Sequence, residues 1–409
     1  MTNPLGLSPL EVASGVVLGE DPAAPELPLD PAPRLEQALE SAVRRALERP
    51  PCVVTFSGGR DSSAVLALAV DLARREGLPL PVPLTYRFPA STKSEESHWQ
   101  ERVIQHLALE EWARESFEAE LDCLGPIAQE GLRRHGLLWP ANVHSVVPAL
   151  RAAAGGSVLM GTGGDELLHP GRHAHLSAVL AGRERPQPRD LARAVFAIAP
   201  RALRRRRRRG EATWIDCPWL RPEPRDRLTA AFAAVAAGEP VRRGPWVRWI
   251  WHMRAIQLTI ASMETLAQGM GSQLVSPFLD RRVVAAYGPW AANAPPTDRT
   301  DAFRRLFGRL LPEDVVGRRT KATFDGAFWC RHSETFAGSL TLAEVDSELV
   351  DGARALDFWA AGGTETAGPI PSSTLLQALW LARELEIERA EQGDSGIAER
   401  VPVATATER

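Results

Sequence analysis

Two glycines, three serines and an aspartate are gathered in SGGRDSS, residues 57–63. Glycines let a backbone turn sharply and bring its N–H groups against an anion. The serine hydroxyls add small donors, and the Asp61 carboxylate can hold a divalent cation that bridges phosphate oxygens. An apolar, strand-like run precedes the stretch and a helical pattern follows it, so it predicts a phosphate cradle at a helix N-terminus. Its spacing is neither the Walker A pattern GxxxxGK[ST] nor the dinucleotide pattern GxGxxG. A second glycine-rich turn, GTGGDELL (161–168), sets Asp165 and Glu166 just beyond another strand candidate, where α/β sheets bind ligands. Later come SPFLDRR (276–282) and LLPEDVVGRRTKATFDGAFW (310–329).

The last of these holds Lys321, one of only two lysines beside 46 arginines. In that background arginine is the default basic residue. A compact ammonium on a flexible stem is not replaced by a planar fork at a tight site. Lys321 is therefore a candidate catalytic cation, whereas Lys93, in ASTKSEES, reads as a solvated loop residue.

The elements that must carry these residues follow from periodicity. Leu35, Leu39, Val43 and Leu47 recur every four residues and predict a helix ended by Pro50 and Pro51. CVVTF (52–56), PVPLTYRF (near 81–88) and SVLMG (157–161) predict buried strands. Helices are predicted after Ser63 up to Gly77, over Glu95–Leu109, from about Trp246 to Met270, near 302–311 and over Leu375–Glu388. Strands alternating with helices argue for a parallel sheet covered on both faces. Residues 1–33 read as an irregular lead-in, 34–388 as the main domain with a Pro- and Arg-rich insertion at about 182–245, and 389–409 as a disordered tail.

SGGRDSS resembles the SGGxDS signature of the PP-loop ATP pyrophosphatases, which cleave ATP between its α and β phosphates. With the three later stretches in order, the chain from about 35 to 385 resembles the synthetase domain of asparagine synthetase and its relatives. That family carries a GxGxDE loop, a PFLD segment and an LPxxxxxRxKxxF segment with a catalytic lysine. The resemblance implies an α/β fold of the adenine-nucleotide α-hydrolase (PP-loop, Rossmann-like) type with a C-terminal helical part, and ATP and Mg2+ as cofactors. It sets Ser57, Gly58, Gly59, Asp61, Ser62 and Ser63, with Gly161, Gly163 and Gly164, around the nucleotide. Asp61 and Asp165 would hold magnesium, and Lys321 would neutralise charge on the α-phosphate and the tetrahedral centre. The implied reaction is AMP-forming: a substrate carboxylate is adenylated and then attacked by ammonia or an amine.

The pattern also departs from the family. Position 2 is Thr and only about 50 residues precede the cradle, so no glutaminase half is expected. The amine would then be free ammonia, ammonia from a separate protein, or an amine of the substrate itself, as in β-lactam synthetases and lasso-peptide cyclases. A partner that supplies the amine or presents a small-molecule or peptide carboxylate is compatible with this. Thr162 stands where glutamine-dependent members place Glu and β-lactam-forming ones Tyr. Gln273 and Val275 replace the two charges of ExRxPFLD. His169, Glu264 and His252 are candidate replacement bases, each with a core or surface role as its default. Competing functions are a PP-loop enzyme that modifies RNA and a degenerate nucleotide-binding scaffold serving a partner protein.

Composition bounds these readings. Charged residues make up 24%, hydrophobic ones 44%, and the net charge is −3, which fits a soluble chain with a sizeable core and excludes a uniformly basic nucleic-acid binder. Length alone suggests two or three domains. The run Arg204–Arg209 predicts a self-repelling, exposed and mobile segment that could touch an acidic partner or RNA, although no aromatics interleave with it. Trp246, Trp249 and Trp251 read as packing residues. Cys52, Cys123, Cys217 and Cys330 lie too far apart for a metal site or a disulfide framework. With no signal peptide and no membrane span, a cytoplasmic location is expected.

Overall fold

A computed structural model describes residues 3–28, 34–89, 91, 94–169, 171–212, 217–320, 322–362 and 369–398. Five parallel strands form one sheet: β1 (Cys52–Thr55), β2 (Val82–Arg87), β3 (Ala113–Ser116), β4 (Ser157–Leu159) and β5 (Gln273–Val275), in the order β3-β2-β1-β4-β5. The chain steps outward from β1 through β2 to β3, then returns to lay β4 on the other side of β1. Strand order therefore reverses between β1 and β4, whose register pairs Val53 with Val158 and Val54 with Leu159. A crevice opens at such a switch point, beyond the strands' carboxyl ends. Both glycine-rich turns leave the sheet there.

The sheet is covered on both faces, as the alternation of elements predicted. Val54 packs into a core with Leu66 and Phe278, while its neighbour Val53 points the other way into a core with Leu84, Leu150 and Leu266. The first core is walled by α2 (Leu35–Leu47), which follows the short α1 (Pro9–Ser14), and by α3 (Arg60–Glu76). α2 buries Leu35, Leu39, Val43 and Leu47, the residues its period marked. α3 ends at Gly77, whose φ of 67° suits a residue without Cβ. α4 (Ser97–His106) falls within the predicted span.

Several elements differ from expectation. The lead-in is not wholly irregular. Ser8 and Glu11 form a reciprocal capping box that starts α1, and Leu7, Ala13 and Val17 are buried in a third core with Trp219 and Leu376. Six helical residues are too few to show a period. The predicted helix from Trp246 is two, Arg243–Trp251 and Arg254–Gly269, broken where extended Met253 bridges Glu20. The helix near 302–311 is Arg299–Phe307. The last helix runs over Pro369–Ala398, so the tail expected over 389–409 begins inside it, and 399–409 lie outside the described residues.

The arginine run is largely exposed, as expected, with only Arg208 buried, but it is regular: Arg201–Arg209 is a helix packed on the helix Pro222–Gly238. Successive residues on a helix point about 100° apart, which spreads the charges around the cylinder. Arg208 turns inward, ion-paired to Glu211 at 2.8 Å, and both Arg207 and Arg208 lie over the Phe196 ring. Among the described residues no helix is long and apolar enough to cross a membrane.

Candidate active site

At the end of β1, Ser57, Gly58 and Gly59 turn the chain into α3. Gly58 has φ of 83°, and a Cβ there would stand 2.9 Å from Gln100 Cγ, so the position demands glycine. The loop is tied by its own serines. Ser57 N–H donates to Ser62 Oγ at 3.2 Å, Gly59 N–H donates to Ser57 Oγ at 3.2 Å, and Ser62 Oγ donates to the Gly59 carbonyl at 3.1 Å. Asp61 occupies the first turn of α3.

The second glycine-rich turn is packed directly on the first. A Cβ at Gly161 would fall 2.7 Å from the Ser62 backbone nitrogen, and one at Gly164 would overlap the Asp61 carboxylate. Gly163 has φ of 91° and lies under Leu279 of the PFLD segment. These glycines are thus explained by close approach: a side chain at Gly161 would meet the backbone of the first turn, one at Gly164 the Asp61 carboxylate, and one at Gly163 Leu279. Their packing brings the Asp61 and Asp165 carboxylates to a common point.

That point is marked by Arg299, which the sequence reading missed. Its guanidinium contacts both oxygens of Asp61 at 2.6 Å and Asp165 Oδ1 at 2.8 Å. Arg299 opens the helix Arg299–Phe307 directly after its N-cap, Asp298, which accepts from Asp301 N–H at 2.8 Å. One arginine among 46 offers no signal by type; only its place beside an N-cap distinguishes it.

A cavity of about 490 Å³ lies against these groups. Its polar end is lined by Ser57, Gly59, Asp61, Ser62, Thr162 and Arg299, and its apolar end by Leu84, Tyr86, Phe88, Met160 and Phe324. Gly161 also lines it, whereas Gly58, Ser63, Gly163 and Gly164 do not. Ser63 is fully buried in α3, while Gly58 packs against Gln100, Gly163 against Leu279 and Gly164 against Asp61. Lys321 and Lys93 lie outside the described residues. The neighbours Thr320 and Ala322 line the cavity wall.

Arg318 anchors that wall. It is 6% exposed and donates to the Gly58 carbonyl at 2.9 Å and to Thr320 Oγ1 at 3.0 Å, while its other Nη pairs with the buried Glu96. Trp99 stacks against it, 4.7 Å from ring centre to guanidinium carbon.

The other candidate bases are dispersed. His169 is not in the cavity wall. Its Nδ1 accepts from Gly171 N–H at 2.9 Å, and desolvation together with the Arg243 charge holds its pKa below the usual value. Glu264 faces a separate cavity of about 780 Å³ with Gln273 and Val275, beside the PFLD segment. Asp280 of PFLD caps the helix Arg281–Asn293 through Arg282 N–H at 2.9 Å and pairs with Arg45. His252 is bonded to the Arg248 carbonyl at 2.8 Å and lines neither cavity. Burial raises the thiol pKa of Cys52 and Cys330 to about 11 and of Cys123 to about 12. These three are held in the unreactive protonated form at neutral pH. Trp246 and Trp251 are buried packing residues.

Among the described residues no group of three or more His, Cys, Asp or Glu could hold a metal ion alone. The Asp61–Asp165 pair nonetheless suits magnesium, which is commonly bound by one or two carboxylates and completed by substrate phosphates and water.

A parallel sheet that splits at β1 and β4, with a serine- and glycine-bound cradle facing a second acidic loop, defines an α/β protein of the PP-loop, Rossmann-like kind. The asparagine synthase family model matches residues 34–363, and the chain belongs to that family. Membership supports an ATP-dependent, amide-forming carbon–nitrogen ligase. A search of curated proteins found no match.

Proposed function

We propose that this protein adenylates a substrate carboxylate with ATP, releases pyrophosphate, and passes the acyl group from AMP to an amine or ammonia. The observation that carries this reading is the meeting of Asp61 and Asp165 on the Arg299 guanidinium, with Asp61, Ser57, Ser62 and Arg299 lining the polar end of the cavity. Phosphoryl and adenylyl transfer are catalysed mostly by positioning and by stabilising charge. Magnesium, when bound, neutralises the leaving pyrophosphate. Ser57, Gly59 and Ser62 orient the polyphosphate, and the apolar end takes the adenine or the apolar part of the acid. Arg318 holds the 310–329 segment against the cradle, so that Lys321 would reach the α-phosphate. An enclosed site keeps water from the acyl-adenylate.

The three raised cysteine pKa values disfavour an RNA-thiolating relative that relies on thiolates. Thr162 and Gln273 argue against aspartate as the acid and leave a peptide or small-molecule carboxylate. The amine arrives as ammonia, from a separate protein, or from the same substrate. Ring closure in the last case benefits from proximity.

ATP–pyrophosphate exchange over a panel of amino acids, dicarboxylates and peptide carboxylates tests the reading. At least one acid should support exchange that K321A abolishes. Exchange absent with every acid overturns it in favour of a nucleotide-binding scaffold, whereas exchange unchanged in K321A overturns the role given to Lys321.

A further inference from the structure

Resting on the proposed function, we infer that Arg299 occupies the place of the metal in the nucleotide-free enzyme, so that a divalent cation enters only together with the nucleotide. The guanidinium spans both carboxylates assigned to magnesium, at 2.6 Å from Asp61 and 2.8 Å from Asp165. A divalent ion bound by the same two carboxylates would sit in the volume the guanidinium fills. Two cations cannot share that point, since like charges at contact distance repel strongly.

The rest of the Arg299 environment favours release. As the first residue of its helix, it stands at the positive end of the helix dipole. Arg60 is near enough for its charge to be felt, and both guanidinium carbons lie 5.2 Å from the centre of the same Phe303 ring. Arg299 Nε is buried with no hydrogen-bond partner among the described residues. Its ion pairs among those residues are to Asp61 and Asp165. A bare cation offers the displaced guanidinium no new partner. A polyphosphate offers several anionic oxygens within the same cavity, in the bidentate geometry that arginine prefers. Nucleotide and metal together therefore replace what the guanidinium loses, whereas the metal alone does not. Arg299 is thus a positioning residue that holds the two carboxylates together and makes metal binding conditional on ATP.

The test measures binding of Mn2+, as a paramagnetic probe, to the full chain by electron paramagnetic resonance. It is run without nucleotide and with α,β-methylene-ATP, for wild type, R299M and R299K. In wild type, Mn2+ should bind weakly alone and at least about tenfold more tightly with the nucleotide. R299M should bind Mn2+ alone at least about tenfold more tightly than wild type, as expected when a charged hydrogen-bonded competitor is removed. R299K, whose single ammonium cannot span both carboxylates equally, should fall between them and serves if R299M does not fold. Equal affinity for Mn2+ alone in wild type and the folded variants overturns the inference, as does wild type that binds Mn2+ as tightly without nucleotide as with it. If no variant binds Mn2+ even with the nucleotide, the proposed function fails with it, a result distinguished by the nucleotide arm.

Discussion

Arg318 donates to the carbonyl of Gly58 at 2.9 Å across 260 residues of sequence. The bond joins the cradle to the segment that carries Lys321, and it uses a carbonyl exposed by the left-handed turn at Gly58. The same side chain is ion-paired with Glu96, and the two are 6% and 7% exposed. Truncating one partner of a buried pair strands the other charge and costs about 3–5 kcal/mol. R318M should therefore lower unfolding free energy by about that amount in urea titration. R318M with E96Q should recover part of the loss, because the double change leaves no bare charge. A single variant within about 1 kcal/mol of wild type would show that the pair is not a structural tie.

How much of this was legible depends on burial. β1 and β4 could be read because they are buried apolar runs that end at glycine turns. β3, with sequence ARES, pairs only with β2 and alternates half-buried with exposed side chains, so it lacks an apolar signature. β5 is three residues long and leads straight into PFLD, too short for periodicity to speak. The turn at SGGRDSS was legible because its glycines and serines, which shape and tie it, are a marked local composition between a strand and a helix. Arg299 was not, because its role arises from tertiary placement and its type is the commonest basic one in the chain. Of the second loop's glycines, Gly161 lines the cavity, Gly163 lies under Leu279 and Gly164 leaves room for the Asp61 carboxylate, close approaches that the sequence does not show.

Acid sensitivity should arise in part far from the site. Glu344 accepts from Arg383 and from Thr341 N–H and Oγ1, which hold its carboxyl at about 2 against an ordinary 4.5. A depressed carboxyl pKa contributes stability that is complete above the unfolded value, and it is lost as pH falls through the folded one. The loss should run from about pH 4.5 down to about pH 2. In thermal unfolding across that range, E344Q should be less stable than wild type at pH 7, with a gap that narrows below pH 4.5. A gap that stays constant with pH would assign the effect to packing instead.

Thiol reactivity reports the same fold independently. Cys52, Cys123 and Cys217 are buried, and only Cys330 is partly accessible. At pH 8 the native protein should react with a thiol-specific disulfide reagent slowly and at no more than one position, whereas urea should release all four cysteines. Rapid native reaction of Cys217, identified by mass spectrometry, would contradict the packing of the core that joins the lead-in to the last helix, and rapid reaction of Cys123 that of the core on the Val53 face of the sheet.

The close packing of the two glycine turns separates function from stability in a pair of variants. A Cβ at Gly164 meets the end of the Asp61 side chain, which can swing aside, whereas one at Gly161 meets backbone at 2.7 Å and 2.8 Å, which cannot. G164A should unfold at nearly the wild-type temperature. Its ATP–pyrophosphate exchange should nevertheless fall by about 100-fold, the scale of loss when a reacting constellation shifts by about an ångström. G161A should instead lose thermal stability, because the turns themselves must separate. Equal effects of the two substitutions on unfolding temperature would deny that Gly164 is reserved for the carboxylate. Unchanged exchange in G164A would show that Asp61 need not stand where Gly164 leaves room for it.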